Sequence, residues 1–182
     1  AKIKSTKIYD AVFIGRLHPQ KGILELIDIW QKVVGQRPNA KLAVIGDGSL
    51  ERNLKFKIQK LKLKNNITLF GFKTGKEKYQ IFSQSKIVVH PAIYDSGGMA
   101  PAEAMSLGLP GVAFDLEALK SYYPQGMLKT KCFDQNLFAQ NILKLLQDKR
   151  LYRRLSQEAL TLINRYWLWP QRAQKIYENL IY

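Results

Sequence analysis

The 182-residue sequence contains very little cysteine and histidine, and this scarcity limits its chemistry. It has one cysteine and two histidines. A single cysteine excludes an internal disulfide and a cysteine-ligated metal cluster, and it is typical of a reducing compartment. His18 and His90 are far apart in the sequence, so we expect no transition-metal site built by the protein. We also expect no cofactor.

Long apolar runs and acidic residues are scarce as well. Without a signal peptide or a long apolar run, the chain is expected to lie in the cytoplasm and not to span a membrane. The 14 Asp and Glu stand against 29 Lys and Arg, for a formal net charge of +15. Such a balance attracts nucleotide phosphates, acidic lipid headgroups or nucleic acid. Charge alone does not choose among these partners.

Strand and helix patterns alternate along the chain, which predicts a parallel sheet with helices on both faces. Hydrophobic residues make up 46% of the sequence, enough for the core of one α/β domain. The six strands are predicted at 9–14, 41–45, 66–70, 87–89, 111–114 and 127–131. The helices are predicted at 22–34, 49–64, 76–83, 135–147 and 150–166, with another from Pro101 to before Gly108 and a last one from Pro170. Ser49 is expected to cap the second helix.

The most informative segment is 90–105, where two carboxylates lie eight positions apart around a glycine pair. Asp95 follows an apolar strand, and Glu103 falls in the first turns of the next helix. A glycine loop that leads into a helix offers free amides and a positive dipole end, which suits a phosphate. A carboxylate just inside the helix is placed to accept hydrogen bonds from sugar hydroxyls. The segment therefore predicts a nucleotide-sugar pocket.

The loop after the first strand carries a second set of candidate ligand-binding residues. Gly15 allows a close approach of the backbone to a ligand. Arg16 and Lys21 are placed to hold a diphosphate, the first through forked hydrogen bonds and the second as a point charge. Alone, such cations are more typical of a solvated surface. The glycine pair at another strand end favours the functional interpretation.

These motifs, in this order, resemble the group 1 retaining glycosyltransferases, the fourth sequence family of GT-B-fold enzymes. The motifs are Gly-Arg-x-x-x-x-Lys-Gly, Ile45-Gly46-Asp47-Gly48, Phe70-Gly71-Phe72, an acid separated by seven residues from Glu-Ala-Met, and the closing segment 167–173. The resemblance covers 9–182 but only the C-terminal, donor-binding half of such an enzyme. It implies a Rossmann-like domain over 1–182, with the N-terminal acceptor domain absent from this chain. Alone, the chain is then expected to bind donor weakly and to lack transfer activity.

The resemblance also implies roles for individual residues. The donor diphosphate is assigned to Arg16 and Lys21, with the backbone of Gly15, Gly98, Met99 and Ala100. Glu103 binds ribose hydroxyls, and the backbone at Gly97 holds the transferred sugar. Asp95 is the candidate catalytic residue beside that sugar, although the family pattern has Glu at this position.

Three further assignments concern the base and the partners. Gly46 and Phe70 are candidates to lie near the nucleotide base, although a core position is equally consistent with Phe70. Trp167 and Trp169 are expected to pack on the missing domain. The partner implied is a nucleotide sugar, without metal. A series of lysines over 55–64 is interpreted as a solvated face, with an acidic membrane surface as the alternative.

Other functions remain open at this point. A nucleotide-sugar epimerase-like enzyme has the same two-domain fold, but the closing segment 167–173 is typical of the transferases. A basic, non-catalytic module for polyanions is the alternative from another class. We expect no nucleic-acid partner, because the basic segment is interleaved with aliphatic residues of the buried type instead of aromatic ones. Gly46-x-Gly48 lacks the third glycine of a dinucleotide fingerprint, so a dinucleotide dehydrogenase is the least favoured of these alternative functions.

Overall fold

The structure, a computed structural model, describes residues 6–166. Its strands are β1 (Tyr9–Ile14), β2 (Leu42–Ile45), β3 (Ile67–Leu69), β4 (Ser85–His90), β5 (Gly111–Phe114) and β6 (Met127–Thr130). Its helices are α1 (Ile23–Gln36), α2 (Glu51–Lys60), α3 (Gly75–Ser83), α4 (Met99–Met105), α5 (Glu117–Lys120), α6 (Gln135–Gln147) and α7 (Lys149–Tyr166). A 3₁₀ turn, Pro19–Lys21, precedes α1.

The six strands form one parallel sheet in the order β3-β2-β1-β4-β5-β6. This is the order of a doubly wound, Rossmann-like fold, and it confirms the predicted fold class. After β1 the chain turns to β2 on one side, and after β3 it returns to β4 on the other. The carboxyl ends of β1 and β4 therefore diverge and leave a crevice, which is where open α/β sheets bind ligands.

Alternating side chains of the central strands fill two cores, one on each face of the sheet. Phe13 of β1 belongs to the core under α1 and α6, where Trp30 is fully buried. Val12 belongs to the opposite core, with Met105 of α4 and Leu162 of α7. Each fully buried side chain of this size contributes about 1.5–3 kcal/mol relative to exposure. The two apolar faces explain why these strands are nearly continuous hydrophobic runs.

Some element bounds differ from the prediction. The second helix is shorter than 49–64, and Leu50 instead of Ser49 occupies the N-cap position, without a side-chain cap bond. The chain turns away from the helix axis at Lys62, which has a positive φ of 57°. The next residue, Leu63, is buried in the core. α5 was not predicted, and the expected helix from Pro170 lies outside the described residues. Within 6–166, no helix is long and apolar enough to cross a membrane.

Gly22 allows the loops after β1 and β4 to meet. It has a φ of 63° between the 3₁₀ turn and α1. A Cβ atom at this position would lie 1.9 Å from the carbonyl oxygen of Pro91. The two loops are also joined by a hydrogen bond from the amide of Ile93 to the carbonyl of Gln20. The close approach requires glycine, because neither backbone can move without breaking this pairing.

Replacing Gly22 by Ala should lower the free energy of unfolding by about 2–5 kcal/mol, from the left-handed backbone and the clash with Pro91 together. Gly35→Ala is the matched control, because Gly35 is an exposed residue of α1 and a Cβ there would meet no atom within 4 Å. That change should stabilise the protein by about 0.4–1 kcal/mol. Urea denaturation measures both variants, and equal effects would contradict the role given to Gly22.

Candidate functional site

A cavity of about 250 Å³ lies at the carboxyl edge of the sheet, where β1 and β2 end. The loops after β1, β2 and β3 form its walls together with α3 and α4. Its lining residues are Ile14, Gly15, Arg16, Ile45, Gly46, Asp47, Phe72, Lys73, Thr74, Lys78 and Glu103. The cavity lies at the ligand-binding edge of the sheet, and α4, which follows β4, contributes Glu103 to it. We therefore take this cavity as the candidate ligand site.

Glu103 and Lys78 form an ion pair in the cavity wall. The Lys78 Nζ atom donates to Glu103 Oε1 at 2.7 Å, and the side chains are 14% and 37% exposed, respectively. Glu103 lies in the second turn of α4, so the backbone of the helix fixes its position. The ion pair orients one carboxylate oxygen, and the partial exposure leaves the carboxylate accessible from the cavity.

Charged side chains of both signs line the cavity wall. Arg16 is exposed and lines the cavity beside Lys73 and Lys78, whereas Asp47 and Glu103 supply the negative charge. A guanidinium group is suited to forked hydrogen bonds with phosphate oxygens. The wall therefore combines a donor for an anionic group with an acceptor for hydroxyl groups.

Asp95 lies next to this cavity in a network of its own. Its Oδ1 atom accepts hydrogen bonds from the amides of Gly97 at 3.2 Å and Gly98 at 2.8 Å. Its Oδ2 atom accepts from Lys21 Nζ at 2.8 Å. The Asp95 side chain is only 8% exposed. One carboxylate thus ties the loop after β1 to the start of α4.

Burial and hydrogen bonding act in opposite directions on Asp95. Burial alone would raise the pKa of its carboxyl group, but contacts from His90, Lys21, Gly98 and Gly97 outweigh it and hold the pKa well below its ordinary value. The carboxylate therefore stays ionised at neutral pH. An ionised group with this many donors stabilises the arrangement of the surrounding loops.

Two buried residues, His90 and Tyr123, pack against this network. His90 ends β4 and is 4% exposed, and its Nε2 atom lies 3.1 Å from Asp95 Oδ2. At this distance Nε2 faces the carboxylate electrostatically, but it forms no hydrogen bond of good geometry with the described residues. The hydroxyl of Tyr123 donates to the carbonyl of Gly98. Burial raises the pKa of Tyr123, so the hydroxyl keeps its proton.

The structure separates the predicted site residues into two groups. Gly15, Arg16, Gly46 and Glu103 line the cavity, and Lys21, Asp95, Gly97 and Gly98 form the adjacent network. Met99 is half exposed at the start of α4, followed by Ala100. Trp167 and Trp169 lie outside the described residues. The roles of all these residues stay predictions, since the structure gives only their positions.

Two assignments need correction. The amide of Gly98 donates to Asp95, so it does not offer a free donor to a phosphate as expected. Phe70 packs edge-to-face on Tyr9, with ring centroids 5.7 Å apart, and it does not line the cavity. Phe72 stands there instead and is 67% exposed. β3 ends at Leu69, so the chain turns before Phe72.

Sequence reasoning missed Lys78, the partner of Glu103. Lys78 is 25 positions from Glu103 and lies in α3, which was predicted without a functional role. The available signal was its place: α3 follows the carboxyl end of β3, at the edge of the sheet where ligands bind. A cation in the first turn of such a helix was therefore a candidate.

Comparison with known proteins identifies the family of the chain and supports its fold. The family model described as "Glycosyl transferases group 1" matches residues 2–161. The poly(glycerol-phosphate) alpha-glucosyltransferase of Bacillus subtilis is 26% identical over 161 residues, which are 87% of this chain and 24% of that protein. The poly(ribitol-phosphate) alpha-N-acetylglucosaminyltransferase of Staphylococcus aureus is 32% identical over 104 residues, 57% of this chain and 21% of that protein. The matches cover between 21% and 42% of the length of the curated relatives.

Solved structures show the same fold. A variant of Staphylococcus aureus TarM, solved with fondaparinux, alpha-GlcNAc-glycerol and UDP, has a TM-score of 0.85 at 24% identity, over 96% of this chain and 36% of that one. The pneumococcal O-GlcNAc transferase GtfA, solved with UDP and GlcNAc, has a TM-score of 0.83 at 18% identity, over 100% of this chain and 37% of that one. The present domain is thus similar to about a third of each of these chains.

The Asp95 network predicts a pH-dependent contribution to stability. Because the folded pKa of Asp95 is below its unfolded value of about 3.9, the stabilisation is present above that pH and is lost as the pH falls through the folded value. Asp95→Asn keeps an acceptor for the two amides but removes the charge facing Lys21. It should cost about 3 kcal/mol at pH 7, as for one broken buried pair.

Urea denaturation of both proteins over a range of pH measures this difference. The gap between wild type and Asp95→Asn should be constant above about pH 5 and should shrink below about pH 4. Glu117→Gln removes an exposed ion pair with Lys120 and serves as the control, with no measurable change expected. A gap that is unchanged at low pH would contradict the ionised network.

Proposed function

Because the chain belongs to the group 1 glycosyl transferases, we propose that it is the donor-binding domain of a retaining hexosyltransferase. In this proposal the enzyme moves a hexose from a nucleoside diphosphate sugar to a hydroxyl group of an acceptor. The observation that carries the proposal is the meeting of Arg16 with the Lys78–Glu103 pair in one cavity at the carboxyl edge of the sheet. The UDP held by related structures of the same fold supports the choice of ligand class.

Glu103 is proposed to bind the ribose of the donor. A ribose presents two neighbouring hydroxyl donors, and a carboxylate accepts two hydrogen bonds without a change of protonation. Lys78 occupies Oε1 of Glu103 and thereby sets the rotation of the carboxylate. With the backbone held by α4, this side chain offers a hydroxyl acceptor in a fixed place.

The diphosphate is proposed to lie between Arg16, Lys21 and the start of α4. The amides of Met99 and Ala100 belong to the first turn, where helix amides have no intrahelical acceptor. Negative charge grows on the diphosphate as the bond to the sugar breaks. Fixed cations and amides stabilise that charge without reorganising, an effect worth about 3–4 kcal/mol for each donor group.

Asp95 is proposed to act at the sugar end of the same site. Its carboxylate holds Lys21 and the amides of Gly97 and Gly98, so it sets where the transferred sugar is received. The short side chain keeps the carboxylate close to its own loop. In this proposal Asp95 orients the donor through these groups and lies beside the transferred hexose.

Removing the Arg16 guanidinium should weaken nucleoside diphosphate binding by about 1.5–3 kcal/mol, because a charged hydrogen bond is lost. Calorimetric titration of the wild type with UDP, GDP and ADP identifies the preferred base. The affinity of Arg16→Ala is then measured with the nucleotide that binds most tightly. Lys76→Ala is the matched control, since Lys76 is an exposed cation of α3 that does not line the cavity. Unchanged affinity in Arg16→Ala would remove Arg16 from the site.

Glu103→Gln and Asp95→Asn should give different binding phenotypes. Glu103→Gln should weaken the plain nucleoside diphosphate and the intact sugar donor alike, because both contain the ribose. Asp95→Asn should spare the nucleoside diphosphate, since Lys21 remains cationic, but weaken the intact donor. Calorimetry with both ligands decides this, with melting temperatures to confirm folding. Equal losses for both ligands in Asp95→Asn would remove the reason to place Asp95 beside the sugar.

Donor binding is proposed to be independent of metal ions. Within residues 6–166, no group of three or more His, Cys, Asp or Glu side chains is placed to hold a metal ion, and Arg16 and Lys21 supply positive charge. The titration with nucleoside diphosphate should therefore give the same affinity in EDTA as in magnesium or manganese. Binding that is abolished by EDTA and restored by either metal would refute this part of the proposal.

A further inference from the structure

A second concave surface lies between α1 and α2, away from the donor cavity. It encloses about 560 Å³, and its lining includes Leu24, Asp28, Arg52, Phe56, Lys57 and Lys60. None of these residues lines the donor cavity. We refer to it as the α1–α2 groove.

Phe56 is the unusual residue of this groove. Its side chain is 69% exposed, although Leu54 and Ile58 on the same helix are buried in the core. Arg52 and Lys60 lie four residues before and after Phe56, so all three form one line along α2. An exposed phenyl ring flanked by a cation on each side is not needed for packing the domain.

The charge of the groove is positive after internal pairing. Lys57 is neutralised by Asp28, with Nζ 2.6 Å from Oδ2. No carboxylate within residues 6–166 pairs with Arg52 or Lys60. Both are exposed. The groove therefore presents two unpaired cations and one apolar ring to its surroundings.

We propose that the α1–α2 groove docks the domain on an anionic lipid bilayer. A bilayer surface supplies both partners at once: anionic headgroups for Arg52 and Lys60, and an apolar boundary layer for Phe56. A free phosphate would satisfy the cations but leave the ring in water. Nucleic acid binding without sequence preference uses several aromatic side chains for stacking, whereas this line has one.

The topology makes the contact useful. α1 and α2 follow β1 and β2, the two strands whose carboxyl ends form the donor cavity. Both helices begin at that edge of the sheet, so two short loops connect the helices of the groove to the strands of the cavity. A domain docked through the groove holds the donor cavity close to the bilayer surface.

Sedimentation with lipid vesicles tests the proposal on the full chain. The protein should sediment with vesicles that contain phosphatidylglycerol and stay in solution with vesicles of phosphatidylcholine alone. Arg52→Gln and Lys60→Gln should each weaken partitioning about fivefold, and Phe56→Ala about tenfold. The matched controls are Phe133→Ala, an equally exposed phenyl ring elsewhere at 65%, and Arg150→Gln in α7. Both controls should partition like wild type, and all variants should keep their melting temperature.

Three outcomes would overturn the proposal. Equal sedimentation with neutral vesicles would remove the role of the cations. A loss in Arg150→Gln or Phe133→Ala as large as in the groove variants would show a general effect of charge or apolarity. Retention of duplex DNA that is lost in Arg52→Gln and Lys60→Gln, together with vesicle binding that is unchanged in Phe56→Ala, would assign the groove to nucleic acid instead.

Discussion

The carboxylate of Asp95 is the point on which the arrangement of the ligand edge depends. One oxygen accepts from the first amides before α4, and the other accepts from Lys21 on the loop after β1. These loops leave the sheet in different directions at the switch point, and few other bonds join them. The Asp95 carboxylate fixes the start of α4 through the amides of Gly97 and Gly98. The position of Glu103, about one and a half turns further along the helix, therefore depends on this carboxylate. The Lys21–Asp95 ion pair therefore shapes the cavity, and the Asp95 carboxylate need not contact the ligand with both of its oxygens.

Packing behind the network keeps it in one conformation. Gly22 lets the loop after β1 touch the carbonyl of Pro91, and Tyr123 holds the carbonyl of Gly98 from the side of the core. Removing a buried partner costs more than the pair itself contributes, because the remaining charge is left without compensation. His90 adds to this packing, with its Nε2 atom 3.1 Å from Asp95 Oδ2. Rigid presentation of Glu103 is the structural result.

The sequence predicted the strands and the loops that carry the site, but not the contacts between side chains. Continuous apolar runs and glycines at their ends identify parallel strands and ligand-binding loops, which is why Arg16 and Glu103 were found. Whether Lys21 faces a ligand or Asp95 depends on its rotamer, and Asp95 lies 74 positions away, so local sequence does not predict it. The sequence left Phe70 between a place near the base and a place in the core, because the end of β3 decides which ring turns outward and strand ends are the least predictable feature of a sequence. Lys78 was missed for a similar reason, since its partner is set by the docking of α3 beside α4.

The presence of Asp at position 95, where the family pattern has Glu, has a structural explanation in its hydrogen bonds. An aspartate oxygen reaches the amides two and three residues ahead in its own chain, as Oδ1 does with Gly97 and Gly98. A glutamate is one methylene longer and is less suited to this local capping, so its carboxylate extends further from the loop. The shorter Asp95 side chain extends less far from its loop, but it connects Lys21 rigidly to the start of α4.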